Sequence, residues 1–299
     1  MNLSVVIITF NEEANIRRTL QSVMPLVSDG KGEIIVVDSG STDRTAEIAK
    51  SLGAKVFGEE WKGYAAQKNS AIDKATGDWI LSLDADEEAE QALVNELAFL
   101  FQGQPVTGDQ SEHFDRAKAL RYVADRQNRK EMGARMKSEE KPHSFFIALT
   151  GYRVPRKNFF LGRWLKHGGF WPDPKLRLFQ RGKAQFEARL VHEDAQLREG
   201  ISGRLKGSLL HYSYATLSDY IDHMNRYSSL GAEMVVARGP VRFSAVNIVL
   251  RPMATFVYNY FFRLGFLDGR EGLLLHLYHA VYVSWKYAKA WELSRQKPQ

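Results

Sequence analysis

Two aspartates one residue apart, Asp84 and Asp86, directly follow the hydrophobic run WILSL at residues 79–83. The run predicts a buried strand, and open α/β sheets bind their ligands at the C-terminal ends of parallel strands. Carboxylate oxygens suit a hard divalent cation such as Mg²⁺ or Mn²⁺, which can in turn hold a diphosphate. The alternative is a solvated turn, because acidic residues are also favoured where a helix begins, here near Glu90.

The elements that must position this pair are strands and helices that alternate through the first hundred residues. Each predicted strand is short and apolar, and a polar turn and a segment with helical spacing follow it. This alternation predicts an α/β fold with a mostly parallel, doubly wound sheet and helices on both faces. The predicted strands are residues 3–9, 33–37, 55–57 and 79–83, and the predicted helices are residues 11–23, 46–52 and 67–74.

The remainder of the chain is less regular. Residues 103–141 carry many interleaved charges and few large apolar side chains, which predicts a polar insertion. Aromatic, glycine-rich sequence from 145 to 179 predicts strands and loops. We expect one domain over residues 1–215 and a helical region over residues 216–299. The C-terminal helices are aromatic and basic, which is typical of a membrane interface but also of ordinary helix packing.

The composition narrows the class of partner. A formal net charge of +6 and an isoelectric point near 9.3 favour an anionic partner, such as a nucleotide diphosphate or a membrane surface. There is no paired Cys/His finger and no aromatic ribonucleoprotein motif, so we do not expect nucleic-acid binding. The chain has no cysteine, no leader-like start and no run of 18 apolar residues. We therefore expect a cytoplasmic protein without a membrane span.

Several separated motifs resemble those of the family-2 glycosyltransferases, whose nucleotide-diphospho-sugar fold is of the GT-A type. Their order along the chain is similar to the bacterial lipopolysaccharide-core β-1,4-glucosyltransferase branch. The N-terminal motifs are TFNEE at 9–13, VDSGSTD at 37–43 and LDAD at 83–86. The later motifs are RVPRKNFFLG at 153–162, HGG at 167–169, RLF at 177–179, VHE at 191–193 and LGFLDGR at 264–270.

This resemblance implies a nucleoside pocket at the ends of the first two strands. Thr9, Asn11 and Glu13 would shape the pocket, and Asp38 would accept a hydrogen bond from a base N–H or a ribose hydroxyl. Alternatively, Asp38 is a loop carboxylate that caps the following helix. The chain has Ser39 where many relatives have a second acid, so that acid's contact has no counterpart here.

The resemblance also implies different roles for the two aspartates. Asp84 would reach the ribose or a metal-bound water, and Asp86 would bind the cation, so both belong to the expected Mg²⁺ or Mn²⁺ site. The cation would neutralise the charge that develops as the diphosphate leaves. Lys68 could add a positive charge near the phosphates, or it could be an ordinary surface lysine. Arg177 and Arg181 could contact phosphate on the donor or the acceptor.

Glu193 is the expected catalytic base of an inverting transfer, taking the proton of the acceptor hydroxyl as that oxygen attacks the anomeric carbon. Asp194 is the competing base, although its side chain would point the other way in an extended segment. His192 could be a further metal ligand, a phosphate donor or a structural histidine. An aromatic loop before Arg177 could hold sugar rings or simply cover the sheet. It contains Trp164, His167, Phe170, Trp171 and Asp173.

The function that the resemblance implies is transfer of a hexose, expected to be glucose, from a UDP-linked donor to a glycolipid or lipopolysaccharide-core acceptor. We expect the enzyme to lie peripherally at the cytoplasmic face of the inner membrane. The alternatives are transfer to a polyprenyl phosphate and an inactive sugar-nucleotide-binding scaffold. A nucleotidyltransferase is disfavoured because no glycine-rich, Arg-containing loop follows the first strand.

Overall fold

The computed structural model describes residues 2–102, 149–187, 194–239 and 241–296. The described residues form two compact units. The first, unit 1, takes its residues from Met1–Pro155, Pro174–Glu187 and Asp194–Leu209. The second, unit 2, takes them from Arg156–Asp173 and Leu210–Gln299. The predicted polar insertion and the predicted base Glu193 lie outside the described residues.

Strands and helices alternate at the start of the chain as the sequence predicts. The strands are β1 Leu3–Thr9, β2 Gly32–Asp38, β3 Lys55–Gly58, β4 Trp79–Asp84, β5 Glu87–Ala89, β6 Leu149–Val154, β7 Arg156–Phe160, β8 Arg163–Trp164, β9 Lys175–Gln180, β10 Ala184–Phe186, β11 Ala195–Leu197, β12 Ile201–Arg204 and β13 Leu209–Tyr214. The α-helices are α1 Ile16–Val27, α2 Thr45–Ser51, α3 Tyr64–Asp73, α4 Gln91–Gln102, α5 Leu217–Val236, α6 Arg251–Val257 and α7 Gly269–Gln296.

The main sheet of unit 1 has seven strands in the order β12-β6-β9-β4-β1-β2-β3. Strand β1 pairs in parallel with β2 and β4, and β2 pairs in parallel with β3. The exception is β9, which is antiparallel to both β4 and β6. The mostly parallel sheet is therefore confirmed. Its parallel pairing brings the ends of β1, β2 and β4 to one edge.

Each face of this sheet has its own core because alternate side chains of a strand point to opposite faces. Val5 and Ile7 of β1 pack in a cluster with α1 and α4, in which Leu20 and Leu97 are fully buried. Val6 packs on the other face with α3 and with Phe186. Helices therefore cover both faces, as predicted.

Two local expectations differ from the structure. The first helix begins at Ile16 rather than Asn11, because Asn11 adopts a left-handed conformation with φ of 55° and ends β1 in a turn. The sequence indicates a turn after Asp86 and a helix near Glu90, whereas the segment first forms the short strand β5. Helix α4 then begins at Gln91.

Unit 2 combines strands β7, β8 and β13 with helical structure. Phe160, Leu165, Tyr220 and Leu275 form its buried apolar cluster, which joins β7 to α5 and α7. Helix α5 starts with a capping box, in which Thr216 and Asp219 exchange hydrogen bonds. Helix α6 is flanked by single π-helical turns at Val246–Leu250 and Tyr258–Phe262.

Close glycine contacts hold the aromatic loop of unit 2 against α7. Gly168 has φ of 66°, and a Cβ built on it would lie 2.2 Å from the ring of His276. A Cβ on Gly265 would lie 2.3 Å from the same ring. The carboxylate of Asp268 accepts hydrogen bonds from the backbone N–H groups of Lys166 and His167. The HGG and LGFLDGR motifs therefore pack around one buried histidine.

Candidate active site

The C-terminal end of β4 carries a buried network of charges. Asp84 Oδ1 lies 2.6 Å from Lys68 Nζ, and Asp84 Oδ2 lies 2.5 Å from an Arg177 guanidinium nitrogen. The same guanidinium lies 2.6 Å from Oε1 of Glu87, whose carboxylate is fully buried. Asp84 therefore has a cation on each of its two oxygens.

The antiparallel strand β9 explains how Arg177 reaches this edge. Leu81 of β4 pairs with Leu178, so the neighbouring Arg177 lies beside the end of β4 and is only 4% exposed. Burial opposes the charge of the guanidinium, but Asp84 and Glu87 outweigh it and raise the pKa of Arg177 above its usual value. Arg177 is therefore a fixed positive charge at this edge. Arg181, by contrast, donates from Nε to the carbonyl of Gly77.

A second acidic group faces the aspartate pair from the turn after β1. Burial, helped by the charges of Asp86, Asp43 and Asp84, outweighs a hydrogen bond from Asn15 and raises the pKa of Glu12 to about 7. Burial in the first place, and the neighbouring acids in the second, therefore disfavour ionisation of Glu12. Across the described ranges, no three acidic or histidine side chains converge to hold a metal ion by themselves.

Asp38 lies at the end of β2, where its carboxylate organises the following turn. It is 6% exposed. Oδ1 accepts from the hydroxyl groups of Thr9 and Ser41, and Oδ2 accepts from the backbone N–H groups of Gly40 and Ser41. Both oxygens are therefore engaged by the protein, and the contact of Asp38 with a nucleoside stays a prediction.

The turns after β1 and β2 are joined by hydrogen bonds. Asn11 donates its N–H to Ser41 Oγ and accepts from the Thr42 N–H through Oδ1, at 2.9 and 2.8 Å. The carboxylate of Glu13 accepts from the guanidinium and the N–H of Arg44, which lowers the pKa of Glu13. Thr9, Asn11 and Glu13 therefore brace the two turns against each other.

The aromatic loop of unit 2 is packed on itself. Trp164 and Trp171 meet edge to face with ring centroids 5.3 Å apart, and the Lys157 and Lys166 ammonium groups lie 4.8 and 4.5 Å from the Trp164 centroid. Asp173 forms an ion pair with Arg156 at 2.7 Å. Whether the loop binds a sugar stays a prediction.

Of the two candidate bases, the structure describes Asp194 but not Glu193. Glu193 and its neighbour His192 lie outside the described residues, so their roles stay predictions. Asp194 Oδ1 lies 3.2 Å from Lys175 Nζ, and its side chain is 40% exposed. The competing base is therefore already paired with a lysine.

Sequence reasoning missed the contributions of Glu12 and Glu87. Glu12 stands inside the TFNEE motif, but its burial depends on the fold of the turn after β1. Glu87 follows Asp84 by three residues, and its partner Arg177 is 90 residues further along the chain. Only the position of Glu87 in a run of acids could have drawn attention to it.

Comparison with known proteins identifies the family. Residues 4–160 match the model of glycosyl transferase family 2. The chain belongs to this family. The glycosyltransferase is 30% identical over 301 residues to an uncharacterized glycosyltransferase of Rickettsia typhi, an alignment that covers 98% of this chain and 87% of the relative. The predicted family and the predicted GT-A type fold are confirmed.

Two further similar proteins carry more specific names. The lipopolysaccharide core biosynthesis glycosyltransferase LpsC of Rhizobium meliloti is 27% identical over 301 residues, covering 97% of this chain and 92% of LpsC. The predicted likeness to the lipopolysaccharide-core branch is therefore confirmed. Glucosyl-3-phosphoglycerate synthase of Mycobacterium tuberculosis, solved with Mn²⁺, UDP-glucose and phosphoglyceric acid, is 29% identical with a TM-score of 0.30. That match covers 34% of this chain and 40% of the synthase.

Proposed function

We propose that this glycosyltransferase moves a hexose from a UDP-linked donor to a glycolipid or lipopolysaccharide-core acceptor, with a divalent cation and with inversion at the anomeric carbon. The observation that carries the proposal is the charge network at the end of β4. There, Asp84 pairs with the buried cations Lys68 and Arg177, and Asp86 follows two residues later. The likeness to LpsC supports the acceptor class.

The acidic groups fit a divalent cation. The pKa of Glu12 is raised in part by Asp86 and Asp84, so a cation at this edge would relieve their mutual repulsion. Asp84 already has a cation at each oxygen. The family resemblance assigns the direct contact with the metal to Asp86. The donor diphosphate would supply the remaining oxygens. The metal would supply charge neutralisation for the departing diphosphate.

The first role of Lys68 and Arg177 would be to hold Asp84 of the aspartate pair. Because both hold Asp84, they fix its carboxylate at the end of β4. Their charge also offsets part of the negative charge that a diphosphate brings to a poorly hydrated edge. Lys68 is 7% exposed, so its binding role does not depend on a mobile surface side chain.

The nucleoside pocket would be formed by the braced turns after β1 and β2. The turns meet because β1 and β2 pair in register, with Thr9 opposite Asp38. In this proposal Asp38 and Thr9 set the shape of the turn. Asn11 and Glu13 hold the second turn in place through Thr42 and Arg44, so the base and ribose meet a preformed surface.

Glu193 is the proposed general base. It would accept the proton of the acceptor hydroxyl while that oxygen bonds to the anomeric carbon and the diphosphate leaves from the opposite face. The ion pair between Asp194 and Lys175 favours Glu193 over its neighbour, because the Asp194 carboxylate is already engaged by a lysine.

Donor binding is the first test of the proposal. Calorimetry would compare UDP-, GDP-, ADP- and CMP-sugars, each with and without Mn²⁺, on the wild type and on Asp86→Asn. We expect metal-dependent binding of a UDP-hexose that the variant loses. Glu88→Gln is the matched control, because Glu88 belongs to the same acidic run but pairs with Arg18. A folded protein that binds none of the donors would overturn the proposal in favour of the scaffold.

Transfer is the second test. With a truncated lipopolysaccharide as acceptor, Glu193→Gln should keep donor binding and lose roughly 10²–10⁴-fold in the rate of UDP release. Asp194→Asn should stay within a few fold of the wild type. Transfer to a polyprenyl phosphate in place of lipopolysaccharide would replace the acceptor while leaving the donor proposal intact.

A further inference from the structure

The helical stretch around α6 presents an apolar face to the outside of unit 2. Exposed large side chains recur every three or four residues, and the most exposed are Phe262 at 75%, Met253 at 59%, and Val246 and Tyr258 at 58% each. This spacing places them along one side of the helix. The full set of exposed apolar side chains on the stretch is Val246, Val249, Leu250, Met253, Val257, Tyr258, Phe261 and Phe262.

The polarity of this stretch differs from that of an ordinary surface helix, because most of its exposed positions are apolar. Its less exposed positions hold the polar residues Asn247, Thr255 and Asn259 together with the apolar residues Ile248 and Phe256. The inner side packs on α7, where Ser284 Oγ donates to the Ile248 carbonyl at 2.8 Å. A helix that faces water places its polar residues outward, so this outer face is adapted to an apolar environment.

The apolar face continues beyond the stretch. Fourteen of the nineteen exposed large hydrophobic side chains in the described part of the chain lie between residues 243 and 277. They are therefore concentrated on one segment rather than scattered singly, and a concentrated patch marks an interaction site. We call residues 243–277 the apolar segment. No helix among the described residues is long and apolar enough to cross a membrane.

Over most of the apolar segment and the residues just before it, the charges have a single sign, and the acids Asp268 and Glu271 come only towards its end. Residues 234–267 contain no Asp or Glu. They contain four arginines, Arg238, Arg242, Arg251 and Arg263, all of which are exposed. An apolar face rimmed by arginine complements the acyl boundary and the anionic head groups of a lipid bilayer.

We propose that the apolar segment is a membrane-docking surface that inserts its exposed side chains into the interface of an anionic lipid bilayer. A second copy of the chain is a poorer occupant, because a two-fold interface on this face would bring arginine-rich surfaces together with no acid from residues 234–267 to offset them. The inference rests on the proposed function in one respect, since it names the surface on which a lipid-linked acceptor would be met.

Vesicle flotation of the full chain tests the proposal without donor or acceptor. We expect binding to vesicles that contain phosphatidylglycerol and at least about tenfold weaker binding to pure phosphatidylcholine, because each arginine near an anionic surface adds roughly fivefold. The double variant Met253→Gln, Phe262→Gln should lower the partition coefficient at least about tenfold by removing two inserted apolar side chains.

The matched control is the double variant Met24→Gln, Phe57→Gln. It changes the same two residue types at exposed positions of unit 1, and it should bind vesicles as the wild type does. Circular dichroism of both variants would establish that they are folded. The proposal is overturned by a wild type that does not float with anionic vesicles, or by equal losses in the two variants. It is also overturned if the wild type does not float but forms a lipid-free dimer that the double variant Met253→Gln, Phe262→Gln dissociates. Donor calorimetry is independent of all these outcomes.

Discussion

At the scale of single residues, Arg177 is the side chain on which the charge network of β4 depends most. It bridges Asp84 and the fully buried Glu87. Arg177→Met removes that charge and leaves Glu87 without its guanidinium, so the free energy of unfolding should fall by about 3–5 kcal/mol. Urea unfolding measures the loss.

A matched arginine separates this effect from a general loss of charge. Arg181 lies on the same part of the chain but is exposed, and it donates to a carbonyl. Arg181→Met should cost no more than about 1 kcal/mol. Adding Glu87→Gln to Arg177→Met should recover part of the loss, and a double variant as unstable as the sum of its parts would argue against the bridge.

Glu33 makes the stability of unit 1 depend on pH in the acidic range. Burial raises the pKa of this β2 carboxylate, but hydrogen bonds from Lys55, Thr76 and Ser4 outweigh burial and lower it to about 2. The folded pKa is thus below the ordinary value of 4.5. The stabilisation is therefore present above pH 4.5 and is lost as the pH falls towards 2.

The corresponding variant tests the sign of this dependence. Glu33→Gln should be less stable than the wild type by about 1–2 kcal/mol at pH 7, and the difference should shrink below pH 4.5 in urea unfolding. Asp29→Asn is the control, because Asp29 is 80% exposed. A difference that is constant from pH 7 to pH 3 would contradict the prediction.

At the scale of elements, the packing of the aromatic loop on α7 makes one glycine critical. Gly168→Ala places a Cβ 2.2 Å from His276 in a left-handed conformation, so we expect a loss of about 2–4 kcal/mol in the free energy of unfolding. Gly162 is the matched control, with φ of 79° and no heavy atom within 4 Å of a built Cβ.

The two alanine variants separate the cost of the left-handed backbone conformation from the cost of the steric overlap with His276. Gly162→Ala should show only the backbone cost of about 1–2 kcal/mol. Thermal unfolding of the two variants gives the comparison directly. Equal losses would mean that the contact with His276 yields easily and that the conformation of the glycine alone sets the cost.

Elements with a local signal were predictable, and those set by distant pairing were not. The strands β1, β2 and β4 could be predicted because each is a short apolar run followed by a polar turn. The antiparallel insertion of β9 between β4 and β6 could not, because β4 is about 100 residues earlier and the strands β7 and β8 come between β6 and β9 in the chain. Arg177 was therefore expected near a phosphate and not beside Glu87.

In the candidate site, too, features with a local sequence signal were predictable and features set by distant contacts were not. Asp84 and Asp86 were found because they stand together at a strand end. The donors to Asp38 come partly from Thr9 on another strand, so the engagement of its carboxylate depends on the register of β1 and β2. The burial of Glu12 is also a property of the folded turn, and no pattern in the sequence indicates it.

At the scale of the whole molecule, mild acid should weaken unit 2 before Glu33 responds in unit 1. Burial, with the charges of His276 and Lys286, lowers the pKa of His279 from 6.5 to about 4. The folded state therefore resists a proton that the unfolded chain accepts. The stabilisation is complete above pH 6.5 and falls as the pH drops to 4, by about 2–3 kcal/mol.

His279→Gln tests this acid response. The variant should lose most of the slope of unfolding free energy between pH 6.5 and pH 4, measured by urea titration with tryptophan fluorescence. The ring of His279 also lies 5.4 Å from that of Tyr282, so the variant should be somewhat less stable at pH 7. Slopes that match in wild type and variant would contradict the prediction.

The hydrogen bonds from Lys166 and His167 to Asp268 also set an order of events on the ribosome. The aromatic loop is synthesised about one hundred residues before the carboxylate that holds its backbone. At roughly 5–20 residues per second, the loop waits on the order of 5–20 seconds for its anchor. A nascent chain released before Asp268 and His276 would carry an intact loop sequence without the partners that fold it.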